Sequence, residues 1–134
     1  MITKEELLKL ASLRLGDSNV LLLNKRYQGS IYIGGYVIEL LLKYNICKIF
    51  NLTEGFPENE IDLNSYNSII RKEFKDNTKR IGLKTYKTHN LSNLLLISGK
   101  EYEVKNFLLN EWTEILIWNP EMRYKNFKIE KKVQ

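Results

Sequence analysis

Apolar residues recur along this chain at steps of three and four, and no stretch alternates with the two-residue rhythm of a strand. Leu7, Ala11, Leu15, Ser18 and Leu22 step by four, four, three and four, an apolar stripe with one interruption. Thr3 and Glu6 precede it at capping-box spacing, in which the Thr side chain accepts from the N3 amide and the Glu reaches back to the cap amide. A first helix is therefore predicted from that cap to about Asn24, with Gly16 costing it about 1 kcal/mol. Ile31, Gly35, Ile38, Leu42 and Ile46 repeat the pattern, and Leu41 and Ile49 widen it. This second helix reads as the central core element.

The segment NLTEGFPENEID, with Gly55 and Pro57, predicts a loop rather than a domain boundary. A shorter basic helix follows over roughly 62–78, with Tyr66, Ile69, Ile70 and Phe74 on one side. In KTHNLSNLLLISGK, Asn90 is placed as an N-cap and Gly99 as a C-cap of a leucine-rich helix. Val104, Leu108, Trp112 and Ile115 align on a last helix over about 101–118, stopped by Asn119-Pro120. No repeat of tens of residues points to a solenoid. The sum is an all-α, up-and-down bundle of four to five helices in a single domain over 1–134, with a short basic tail at 125–134.

Composition narrows the class. A chain of 134 residues can bury a core of its own, and its balance of apolar and charged residues is that of an ordinary globular domain. One cysteine, Cys47, permits no internal disulfide and no thiol cluster, which points to a reducing compartment, the cytoplasm. No run of apolar residues is long enough to span a bilayer, and the charged N-terminus MITKEELLKLASLRLGD is unlike a signal peptide. No metal or cofactor is implied.

Charge adds a candidate partner. The net charge of +5 is unevenly spread: residues 71–87 hold seven bases against Glu73 and Asp76, and residues 123–134 hold five bases against Glu130. Arg71, Lys72, Lys75, Lys79, Arg80 and Lys84 are the candidate contacts to RNA or a nucleotide phosphate. The alternative is a solvated basic face with no ligand.

The stretch RYQGSIYIGGYVIELLLK, with Tyr27, Tyr32, Tyr36, Glu39 and Lys43, resembles the signature helix of the HEPN domain (higher eukaryotes and prokaryotes nucleotide-binding). KTHNL resembles the opening of a later helix in that family, and WNPEMRY resembles the segment that ends the following one. Together the matches run from about residue 4 to 124. The resemblance implies a prokaryotic toxin-antitoxin or defence protein whose cleft holds Tyr36, Glu39 and Tyr124.

Active members of the family are metal-independent ribonucleases that carry an Arg, four to six residues, then a His, presented by two protomers across a dimer cleft. An Arg stabilises charge on the scissile phosphate while a His near neutral pKa moves protons. Here the positions before the single His, His89, are Gly82, Leu83 and Lys84, and those after Arg123 are Lys128, Ile129 and Glu130. The pattern is missing at both places. The resemblance then implies a non-catalytic module that binds RNA, a nucleotide or a partner protein; the alternative is an endoribonuclease in which the fold brings His89 and Arg123 together. His89 also has a structural reading, bonding a neighbouring loop or helix end beside the Asn90 cap.

Glu39 lies between Ile38 and Leu40 in a helix expected to be buried, where a carboxylate needs a cation or several donors. Arg123, with its planar fork, is the expected partner, unless Glu39 sits solvated at the rim. Ser30, Gly34 and Gly35 make one side of the same helix small enough for a second helix to approach, which is chiefly a packing device. Trp112 and Trp118 read as core or interface anchors. Many relatives have a further closing helix where this chain has KNFKIEKKVQ, so an open groove, and hence a homodimer or a complex with a cognate protein, is expected.

Overall fold

The structure is a computed structural model that describes residues 1–80, 89–110 and 113, with the side chain of Arg80 excepted. These residues form six helices and no strand: α1 (Lys4–Leu23), α2 (Tyr27–Ile49), α3 (Glu60–Leu63), α4 (Ser68–Arg80), α5 (Leu91–Ser98) and α6 (Glu101–Phe107). The described residues are predominantly helical, as the periodicity predicts. No described helix is long and apolar enough to cross a membrane.

α1 starts where Thr3 caps it: the Thr3 hydroxyl oxygen accepts from the Glu6 amide at 3.2 Å, and the hydroxyl lies 3.0 Å from the Glu6 carboxylate. It ends in a Schellman motif. Lys25 takes the left-handed conformation at φ 60°, its N–H reaches Leu22 O, and the Arg26 N–H reaches Leu21 O. The chain reverses in three residues and α2 returns along α1. α2 closes similarly, with Asn51 at φ 55° and the Leu52 N–H on Cys47 O.

The small face of α2 meets α1 at close range. Ser18 and Ser30 exchange bonds, each hydroxyl donating to the other's carbonyl at 2.9 Å, and a Cβ on Gly34 would stand 3.6 Å from the Ser18 hydroxyl. The packing role expected of this face is thus filled within the chain.

The inward row of α1 differs from the expected stripe. Leu7, Ala11 and Ser18 are buried, but Leu15 and Leu22 are exposed, because the 3.6-residue turn carries them to the flank. In α2, Leu41 and Ile49 are also exposed, while Val37, Leu40, Ile46 and Cys47 are buried.

The segment after α2 is more than a connector. Leu52, Phe56 and Pro57 are buried, and the rings of Phe50 and Phe56 meet Phe74 of α4 edge-on at 5.8 and 6.1 Å. Gly55 makes this route possible: at φ +126° it lies so close to Ile2 that an added Cβ would stand 2.4 Å from the Ile2 carbonyl oxygen. The Phe56 amide donates to that same oxygen, and the Tyr66 hydroxyl donates to Gly55 O.

The single helix expected over 62–78 is two pieces, α3 and α4. Asn64 caps the end of α3, and the Asn67 side chain accepts from the Ile70 amide to start α4. Tyr66 and Phe74 are buried, whereas Ile69 points outward. α5 follows the prediction closely: Asn90 accepts from the Asn93 amide at 3.0 Å, and Gly99 ends the helix at φ 73°. The helix expected over about 101–118 is interrupted rather than continuous: α6 stops at Phe107, Leu108 leaves helical geometry at φ −133° and is exposed, and helical backbone resumes at Leu109, Asn110 and Thr113. Ile115 and the residues to 118 lie outside the described residues, as does the basic tail.

Candidate functional site

Glu39 sits in the middle of α2 with only 4% of its surface exposed. Its burial follows from its register: Val37 and Leu40 beside it both point into the core. A carboxylate there demands charged or polar donors, and among the described residues two meet it. Lys43, one turn later, places Nζ 3.3 Å from Oε2, and His89, fifty residues away in the chain, places Nδ1 2.6 Å from Oε1. The Lys43 ammonium also lies over the Phe56 ring at 5.4 Å, so the same cation joins the carboxylate to the aromatic packing beneath α4.

His89 is held in place by its neighbours. Asn90 caps α5 and Leu91 is buried in the core, which fixes the backbone immediately after the imidazole. Asn45 of α2 adds a second tie between the helices through its amide to Ser98 O at 3.1 Å. The His89 side chain stays 45% exposed. One ring nitrogen is thus anchored to a buried carboxylate while almost half the side chain faces outward. Such an arrangement fixes ring orientation and lets an imidazole bind an anion or move a proton.

The expected partner of Glu39, Arg123, lies outside the described residues, as do Tyr124 and Lys84. Among the described residues the donors to Glu39 are Lys43 and His89, each on a separate oxygen. The Glu39–Lys43 pair was open to inspection, because a Glu four residues before a Lys is the favourable helical order. No local signal announces His89, whose approach is a product of tertiary structure. Tyr36 is half-buried beside Tyr32, the two hydroxyls 3.2 Å apart and the rings edge-on at 5.2 Å.

The basic residues segregate on α4. Phe74 and Thr78 face the core, while Lys72, Lys75 and Lys79 are exposed and Arg71 is half-buried. Lys75 reaches Glu60 of α3 at 3.2 Å. Arg80 ends the helix, and its side chain is outside the described set.

Two other titratable groups are buried and chemically quiet. Burial pushes the Cys47 thiol up to about 12, so it is a core residue and a poor nucleophile. Burial likewise raises the Tyr66 phenol to about 12. Among the described residues no cluster of His, Cys, Asp and Glu could hold a metal ion. No family model matches the chain, and neither does any curated protein or solved structure.

Proposed function

We propose that this chain is a HEPN-like module of a prokaryotic toxin-antitoxin or defence system, and that it binds RNA or a nucleotide without cleaving it. One observation supports the reading: of the three stretches that bear the resemblance, two meet at a described contact, where Glu39 of the first, paired with Lys43, lies against His89 of the second. Residues that match a family pattern far apart in sequence and then meet at one buried carboxylate behave as parts of one site. The exposed lysines of α4 supply the sequence-independent attraction for phosphate. Catalysis is not assigned, because no Arg stands at the required spacing before His89.

A second reading, a metal-independent endoribonuclease using His89 with Arg123, is favoured by the carboxylate-anchored imidazole. The test is incubation of the full chain with labelled RNA in a chelator, beside His89→Ala and Arg123→Ala. Binding with intact RNA in all three supports the module. Cleavage by the wild type that both substitutions abolish replaces it with the nuclease.

A further inference from the structure

α3 is a single turn, yet its surroundings hold it firmly. The Asn59 side chain accepts from the Asp62 amide at 2.8 Å, and the Asp62 carboxylate accepts in turn from the Glu58 amide at 3.1 Å. Leu63 is completely buried, and the Tyr66 hydroxyl after it donates to Gly55 O. Glu60, the first residue of α3, is thereby held beside α4, where its Oε2 lies 3.2 Å from Lys75 Nζ. This contact falls in the middle of a row. Lys72, Lys75 and Lys79 step by three and four along the outer face of α4, about 10 Å from end to end at 1.5 Å per residue. Among the described residues, Lys75 is the one member of that row in an ion pair.

We propose that Glu60 is a built-in competitor for phosphate: its carboxylate occupies Lys75, the central cation of the α4 row, and an RNA backbone must displace it to bind there. The inference rests on the RNA-binding reading and adds the residue that restrains it. Carboxylate and phosphate oxygens are both anionic acceptors, so the Lys75 ammonium can serve either. A phosphate that approaches Lys75 also approaches Glu60, which repels it.

Exposure makes the contact exchangeable. The Lys75 and Glu60 side chains are 47% and 58% exposed, so water screens the pair and little is lost when it opens. Glu60 still holds an advantage, because α3 keeps it within reach of Lys75 while a phosphate arrives from solution. A mononucleotide phosphate at Lys75 has that one ammonium to set against the acid. A strand that runs along α4 reaches Lys72 and Lys79 as well, and these contacts carry it past the competitor.

The test is fluorescence anisotropy of a labelled single-stranded RNA with the full chain in a chelator, at two salt concentrations. Wild type is compared with Glu60→Gln, Lys75→Gln, the double variant and Glu103→Gln. Glu103 is an exposed carboxylate of α6, so its variant makes the same change in net charge without touching the pair. Both partners of the pair are exposed, and all variants keep the helical circular dichroism of the wild type. Glu60→Gln binds roughly threefold more tightly at low salt. Its salt slope is steeper by about 0.7, because no freed carboxylate takes up a cation as the phosphate gives one up. In the Lys75→Gln background the gain disappears, and Glu103→Gln binds as the wild type does. Wild-type binding that Glu60→Gln leaves unchanged overturns this inference alone. So does an equal gain from Glu103→Gln, or a gain that persists without Lys75. No binding by the wild type or by Glu60→Gln at low salt overturns the RNA-binding reading and this inference with it.

Discussion

His89 Nδ1 lies 2.6 Å from Oε1 of Glu39, so a half-exposed imidazole at the entry of α5 closes over a carboxylate buried in the middle of α2. The contact does two things at once. It satisfies a group that would otherwise be costly to bury, and it sets the direction of the only imidazole in the chain.

Removal of the imidazole leaves Glu39 with Lys43 as its described donor. His89→Ala should lower stability by about 1–2 kcal/mol, below the loss expected when a fully buried pair is broken, because the ring is half in water and Lys43 remains. Urea unfolding checks this. If the two groups act on each other, the Glu39→Gln/His89→Ala double variant loses less than the sum of the single losses, with a coupling of about 1 kcal/mol.

Glycine substitutions separate two environments. Gly55→Ala should cost about 2 kcal/mol or more, since φ is +126° and the new methyl would meet the Ile2 carbonyl at 2.4 Å. Gly16→Ala should instead stabilise the helix by about 1 kcal/mol, because space is open and the backbone is helical. Unfolding midpoints of the two variants should move in opposite directions.

Alkaline pH should weaken the fold through two buried groups. Cys47 is raised from 9.0 to about 12 and Tyr66 from 10.0 to about 12. Each is neutral when protonated, and the folded chain keeps its proton at a pH where the unfolded chain has lost it. The folded state therefore binds more protons between pH 9 and 12, and stability falls across that window after being fully present below it. Urea midpoints measured from about pH 8 upward should decline first from about pH 9, and Cys47→Ala should delay the onset to about pH 10.

The helical class, the Thr3 cap, the Asn90 cap and the Gly99 stop were legible because each depends on residues within one turn. The break between α3 and α4 was not, since Tyr66 belongs by periodicity to a helix yet is drawn out of it by its bond to Gly55. Leu15 and Leu22 were misplaced for a different reason. A row at steps of three and four leaves the core-facing arc within two turns unless a partner helix follows it, and α2 meets only Leu7, Ala11 and Ser18 squarely. At the site, the burial of Glu39 could be read from Ile38 and Leu40 beside it. Its approach to His89 could not, because nothing local encodes a contact across fifty residues.

Binding of RNA through the basic outer face of α4, with the RNA left intact, is the function we propose. The direct measurement is fluorescence anisotropy of a labelled single-stranded RNA titrated with the full chain in a chelator, repeated at two salt concentrations, for the wild type and for Lys72→Glu/Lys79→Glu. Both lysines are exposed, so the variant folds as the wild type does. The expected result is saturable binding that weakens with salt, RNA recovered at full length, and a variant that binds roughly tenfold more weakly with a salt slope reduced by about one to two. Wild-type and variant curves that coincide, or no binding by either at low salt, would contradict it.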